Sequence, residues 1–200
     1  MRFIGETDLF PFVLINQEIV MPRINALTVE ATPSGSQAGL AGVKQKLGSV
    51  PNIFRTFAHS PAVLNFYLAQ SEALAQGELD PQLREQIAVA VAGVNQCDYC
   101  ASAHTLIGKG TGLSEVELAA NLRGRASDSQ RQTALNFARQ IVEQRGVVSD
   151  QALAAVRGAG FSEAEIVEII AHVGMNLFTN YFNHIADTEV DFPRVDSRAA

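Results

Sequence analysis

The feature that most constrains the fold is a helical apolar pattern that continues almost without interruption from Ala38 onward. Helix start signals divide this pattern into segments. Ser60 and Pro61 open one long helix, and Asp80 and Pro81 open the next. Strand patterns are hard to find anywhere in this part of the sequence. The chain is therefore predicted to be all-α.

Two further helix starts carry the pattern of a capping box, in which a hydroxyl and a glutamate satisfy each other's backbone donors. They are Ser114 with Glu117 and Ser162 with Glu165. The second opens the last helix, which is predicted to continue to about Ala186. We expect seven or eight helices in a single domain.

The two ends of the chain differ in character from its middle. Residues 1–27 are predicted to be an N-terminal extension, and Met21 is a candidate for the natural start. A single helical domain is predicted to cover residues 28–200. Within it, residues 28–37 look like a turn-rich connector and residues 188–200 like a loose tail with few core residues.

Charge and composition exclude several classes of protein. The chain has 15 Lys and Arg against 21 Asp and Glu, a net charge of −6 and no basic run, so nucleic acid is not an expected partner. The apolar run Phe12–Ile15 is too short for a membrane span and lacks the basic flank of a signal peptide. Two cysteines are too few for a secreted disulfide scaffold. We expect a cytoplasmic protein, and the 47% hydrophobic content favours a homo-oligomer.

Reactive residue types are concentrated around a Cys-x-x-Cys pair. Gly93 is predicted to end one helix, so that Cys97 lies in the first turn of the next, where the helix dipole favours a thiolate. Cys97, Cys100 and His104 are spaced by three and four and share one helix face. Glu85 lies on the preceding helix, which must fold back near Gly93. It could then meet His104 and Cys100.

This arrangement favours thiol redox chemistry. One thiolate attacks an electrophile, and the second cysteine resolves the product as a disulfide. The helix N-terminus favours Cys97 as the nucleophile, whereas the base His104 favours Cys100. We prefer Cys100, because a positioned base also handles the proton.

The motif Glu-x11-Cys-x2-Cys-x3-His, followed by Gly108–Gly112 and the helix start at Ser114, resembles the carboxymuconolactone decarboxylase superfamily. More narrowly it is similar to the alkylhydroperoxidase D (AhpD-like) branch and its peroxidase-related relatives. The resemblance is strongest over Leu83–Leu122 and extends more loosely to Asn180–Pro193.

The resemblance implies an all-helical AhpD-like fold, assembly as trimers or hexamers, and reduction of organic hydroperoxides. It also implies that Cys100 is peroxidatic, that Cys97 is resolving, and that His104 and Glu85 form the proton relay. No prosthetic group or metal is implied. Turnover needs an external thiol or protein reductant, such as a thioredoxin-like or lipoylated protein. Tyr99 stands where the hydroperoxidase branch has a histidine, so the relay here is expected to be shorter.

Other interpretations of the motif remain open. The cysteines could be two small buried side chains, or Cys97, Cys100, His104 and Glu85 could bind zinc. The pair could also serve a disulfide oxidoreductase, or a non-enzymatic redox sensor or ligand-binding helical oligomer.

A second set of polar residues recurs every four positions along the otherwise apolar last helix. These are His172, Asn176, Asn180 and His184. Such a stripe faces a pocket, a partner subunit, solvent or a hydrogen-bonded core. We treat its members and Tyr99 as secondary candidates for the site.

Overall fold

The computed structural model describes residues 21–198, and the predictions for residues 1–20 lie outside this range. The described residues form nine α-helices and no strand, which confirms the all-α prediction. The helices are α1 Ser34–Leu47, α2 Asn52–Phe57, α3 Pro61–Ala75, α4 Pro81–Asn95, α5 Asp98–Gly110, α6 Glu115–Leu122, α7 Ser129–Glu143, α8 Asp150–Gly158 and α9 Glu163–Ala186. The sequence predicted seven or eight helices, and the six-residue α2 is too short to show a helical period.

Two helix starts differ from the sequence prediction. Helix α1 begins at Ser34, directly after Pro33, so the predicted connector over residues 28–37 is shorter than expected. At α6 the Ser114 hydroxyl accepts a hydrogen bond from the Glu117 backbone, but the Glu117 side chain bonds elsewhere and does not complete the box. The box at α9 is reciprocal, as predicted.

Helix α4 is the centre of the molecule. It contacts α5, α6, α7 and α9, and its middle residues from Ile87 to Ala92 are buried on all sides. One face, with Leu83 and Val91, packs against α7, α8 and α9. The opposite face, with Val89 and Ala92, joins a second core formed by α2, α3, α5 and α6. Helix α4 contributes side chains to both cores. Its position therefore determines how the two cores lie relative to each other.

The prediction that Gly93 ends this helix is wrong. Gly93 lies inside α4, and a side chain there would collide with the backbone carbonyl of Leu122 on α6. The glycine therefore permits a close helix–helix approach. The helix ends at Asn95, and Gln96 adopts the left-handed conformation with φ 56°. The Cys97 amide donates to the Ala92 carbonyl at 3.0 Å, which closes the helix end.

Both ends of the described chain pack onto the helices. The Arg23 and Ile24 amides donate to the Ala186 carbonyl at 2.8 and 3.1 Å. The tail is not loose as predicted, because Arg194 and Ser197 donate hydrogen bonds to the Asp98 carboxylate at the start of α5. Burial raises the pKa of Asp98, but these bonds outweigh it and hold the pKa below its usual value. None of the helices within residues 21–198 is long and apolar enough to cross a membrane.

Candidate active site

The two cysteines lie at the start of α5. Cys97 is the N-cap residue and Cys100 lies one turn further on, so both are near the positive end of the helix dipole. Both are free thiols, and each is only 3% exposed. Their position follows from the two-residue connection between α4 and α5, in which Gln96 is left-handed and Cys97 is extended.

Glu85 and His104 form a close pair between α4 and α5. His104 donates from Nδ1 to Glu85 Oε2 at 2.8 Å, and both side chains are largely buried. Burial alone lowers the pKa of His104, but the Glu85 carboxylate and the Cys100 thiolate outweigh burial and raise it above its usual value. The imidazole is therefore biased toward its positively charged form beside the cysteine helix.

Two residues of α9 complete the surroundings of Cys100. Asn183 Nδ2 lies 3.3 Å from the Cys100 sulfur, and Thr179 Oγ1 lies 3.8 Å from it. Sequence reasoning missed both, although Asn176, Thr179 and Asn183 have the i, i+3, i+7 spacing of one helix face. That periodicity was the available signal. The four-residue repeat of polar residues on α9 indicates the adjacent stripe from His172 to His184 instead.

The surroundings shift the pKa values of the two thiols in opposite directions. A hydrogen bond from the Cys97 thiol lowers the pKa of Cys100, as do the charge of His104 and the bonds from Asn183 and Thr179. Burial opposes these effects but does not outweigh them, so the pKa of Cys100 lies below its usual value. The hydrogen bond to Cys100 and burial both raise the pKa of Cys97. This arrangement favours a thiolate at Cys100 next to a protonated thiol at Cys97.

Tyr99 faces away from this group of side chains. Its hydroxyl accepts a hydrogen bond from the Ile53 amide at 3.1 Å, and its ring meets Phe192 edge to face with centroids 5.5 Å apart. Burial is the main reason that its pKa is raised. The side chain thus ties α5 to α2 and to the tail.

The polar stripe on α9 divides into two parts. Asn180 Oδ1 accepts from the Asn95 side chain at 2.9 Å, and His184 Nε2 lies 3.0 Å from the Asn95 carbonyl. These two residues hold the end of α4. Asn176 donates to the His172 carbonyl at 2.8 Å. Burial, followed by the nearby Arg84 charge, lowers the pKa of His172 to about 4, so it is neutral at pH 7.

A zinc site formed by the two cysteines, His104 and Glu85 was the alternative hypothesis. Within residues 21–198 no three or more histidine, cysteine, aspartate or glutamate side chains are grouped so that they could hold a metal ion. The carboxylate of Glu85 is directed to His104, as described above.

The part of the chain that carries these side chains is similar to a known family. Residues 61–144, which include both cysteines, Glu85 and His104, match the family model of the carboxymuconolactone decarboxylase family. No curated protein gives a significant sequence match.

Solved structures share the fold over most of the chain. The AhpD-core, uncharacterised peroxidase-related protein of Ralstonia eutropha JMP134 is 25% identical with a TM-score of 0.78, covering 85% of this chain and 92% of its own. A peroxidase-related protein of Silicibacter sp. TM1040 is 24% identical with a TM-score of 0.73, covering 83% and 91%. The debrominase Bmp8, in complex with 2,3,4-tribromopyrrole, is 19% identical with a TM-score of 0.73, covering 88% and 94%. Residues 61–144 thus match the carboxymuconolactone decarboxylase family, and the described part of the chain has the AhpD-like fold of these structures.

Proposed function

We propose that this protein is a thiol-dependent peroxidase that reduces organic hydroperoxides, with Cys100 as the nucleophile. The observation that carries the proposal is the surroundings of the Cys100 sulfur, where an amide, a neighbouring thiol and a charged imidazole all favour the thiolate. The match of residues 61–144 to the family model and the similarity to a peroxidase-related protein support this class of reaction.

The proposed reaction draws two electrons from the two thiols. The Cys100 thiolate attacks the terminal, hydrogen-bearing oxygen of the hydroperoxide, so that an S–O bond forms while the O–O bond breaks. The departing alkoxide takes a proton from the His104 imidazolium and leaves as an alcohol. Cys100 is then a sulfenic acid. The Cys97 thiol attacks its sulfur, the hydroxyl leaves with the thiol proton as water, and a Cys97–Cys100 disulfide forms.

An external dithiol or a thiol-bearing protein would return the disulfide to two thiols, and no prosthetic group is needed. The predicted trimer or hexamer and the predicted cytoplasmic location stay predictions. Glu85 contributes by holding the His104 ring and by favouring its charged form.

The test is dithiol-dependent consumption of cumene hydroperoxide by the metal-free protein, with thiols counted before and after one equivalent of oxidant. We expect repeated turnover and the loss of both thiols in the oxidised form. If both thiols are lost without turnover, the protein is a disulfide exchanger or a sensor. If neither thiol reacts, the proposed function is wrong.

A redox sensor is the second candidate, and one observation favours it. Cys97 and Cys100 are each 3% exposed, so a peroxide reaches the sulfur only when neighbouring side chains move. A sensor would be oxidised once and slowly, whereas an enzyme cycles. The turnover number in the same assay separates the two candidates.

Replacing His104 with alanine tests the relay. The variant loses a positive charge that lowers the pKa of Cys100, so we expect that pKa to rise by about one unit. The rate of iodoacetamide alkylation would then climb at higher pH than in the parent protein. The control is His59→Ala, because the exposed His59 ring bonds to the Asn25 carbonyl. A His104→Ala profile that coincides with the parent's would remove His104 from the relay.

A further inference from the structure

The Asn183 side chain is in an unusual position for a buried amide. It is 4% exposed, and its Nδ2 lies 3.3 Å from the Cys100 sulfur. Its Oδ1 is buried without a hydrogen-bond partner among the described residues. A buried acceptor without a donor is costly, and such groups in native proteins call for a specific explanation.

The orientation of this amide follows from the chemistry of the sulfur. A thiolate can only accept hydrogen bonds. The NH₂ group of the amide, which is its donor, therefore faces Cys100. Both atoms are part of one planar group, so Oδ1 is held close to the same sulfur. Asn183 therefore offers one donor to the nucleophile and leaves one free acceptor next to it.

A hydroperoxide carries the donor that this acceptor lacks. The attacked oxygen of ROOH bears a hydrogen, and that hydrogen stays on the same oxygen when it becomes the sulfenic acid. A hydrogen bond from this O–H to Asn183 Oδ1 can therefore persist from the bound substrate to the product. It would hold the oxygen against the sulfur while the S–O bond forms.

Building on the proposed function, we propose that Asn183 is a further catalytic residue, which stabilises the Cys100 thiolate through Nδ2 and binds the hydroxyl end of a hydroperoxide through Oδ1. The recognised class is thus peroxides that carry an O–H group. Asn183 also lowers the pKa of Cys100, which agrees with the first of these two roles.

Thr179 is a weaker neighbour of the same sulfur. Its hydroxyl lies 3.8 Å from Cys100 and is also 3.1 Å from the Asn176 carbonyl, which competes for its proton. Thr179 is therefore a positioning residue. We expect Thr179→Val to raise the pKa of Cys100 by less than a substitution of Asn183 does.

The experiment uses the Cys97→Ser protein as the parent, so that Cys100 is the sole thiol. The test variant adds Asn183→Leu, which keeps the shape of the side chain and removes both hydrogen-bonding atoms. The matched control adds Asn121→Leu. Asn121 is also fully buried with an unpartnered Oδ1, but its amide donates to Glu117 and Arg125 on and after α6.

The first measurement is the rate of iodoacetamide alkylation against pH. We expect Asn183→Leu to raise the pKa of Cys100 by about one unit, because a hydrogen bond to a charged group is lost, and Asn121→Leu to leave it unchanged. An unchanged profile in Asn183→Leu would overturn the thiolate role. If Asn183→Leu does not fold, Asn183→Ala removes the same two hydrogen-bonding atoms without adding a charge, and a rise in the pKa of Cys100 is again expected.

The second measurement compares two electrophiles at a pH where Cys100 is fully ionised in every variant. Iodoacetamide has no hydroperoxide group, so we expect it to react with the Asn183→Leu protein at the same rate constant as with the Cys97→Ser parent. The rate constant for cumene hydroperoxide should fall about tenfold in Asn183→Leu. Equal losses with both electrophiles would overturn the recognition role. Failure of the Cys97→Ser parent to react with hydroperoxide would instead overturn the proposed function, while the alkylation profile would still test the thiolate role.

Discussion

Cys100→Ser is expected to abolish dithiol-dependent hydroperoxide reduction, a loss of roughly 10³-fold or more, because the remaining thiol, Cys97, lacks the hydrogen bonds and the nearby charge that favour the thiolate at Cys100. The serine hydroxyl is similar in size, but its proton is far less acidic, so the hydrogen bond from Asn183 and the charge of His104 cannot generate an alkoxide there. The measurement is peroxide consumption with dithiol in excess, together with far-UV circular dichroism to show that the helices are intact.

The matched variant is Cys97→Ser, which removes the other sulfur of the pair. It should also fail to complete repeated cycles through the internal disulfide, yet one equivalent of peroxide should convert Cys100 to a sulfenic acid that a dimedone probe labels. Labelling of Cys97 in the Cys100→Ser protein, with retained turnover, would show that the nucleophile had been assigned to the wrong cysteine.

Gly93→Ala is expected to destabilise the fold by about 3 kcal/mol or more. The new methyl group would overlap the Leu122 carbonyl of α6, and this oxygen belongs to the backbone, so no rotamer change can relieve the overlap. Helices α4 and α6 would have to separate, although α4 also carries Glu85. The free energy of unfolding, measured by urea denaturation, should show the loss, and activity should fall with it.

Gly174→Ala on α9 is the control for helix propensity. Gly174 also lies inside a helix, but a methyl group there would meet no atom within 4 Å. Replacing it should stabilise the protein by about 0.5–1 kcal/mol, because alanine loses less backbone entropy than glycine. If Gly93→Ala raised the free energy of unfolding as Gly174→Ala does, the inferred close approach of α4 and α6 would be wrong.

Most helices could be predicted from the sequence because their boundary signals are local. Ser60, Asp80 and Ser162 each cap a helix where the chain pattern indicates one, and the hydrogen bond that defines the cap spans only a few residues. The closeness of Glu85 and His104 was also accessible, since a short connection between two helices brings facing side chains together.

Other features depend on long-range contacts that no local pattern reports. A glycine followed by polar residues looks like a helix end, and only the position of α6 shows why Gly93 is needed inside α4. The approach of Asn183 to Cys100 joins residues 83 positions apart. It depends on the rotation of α9 against α5, which is set by both hydrophobic cores together.

The position of Asn183 and Thr179 near the end of the chain has a consequence during protein synthesis. Cys97 and Cys100 leave the ribosome long before α9, and the Asp98 partners Arg194 and Ser197 follow later still. A nascent chain thus exposes two cysteines without the donors that ionise one of them. Since domains fold as units once their last elements are available, the thiol becomes reactive only after α9 has emerged. The order of translation thereby leaves Cys100 without its ionising donors until α9 has been made.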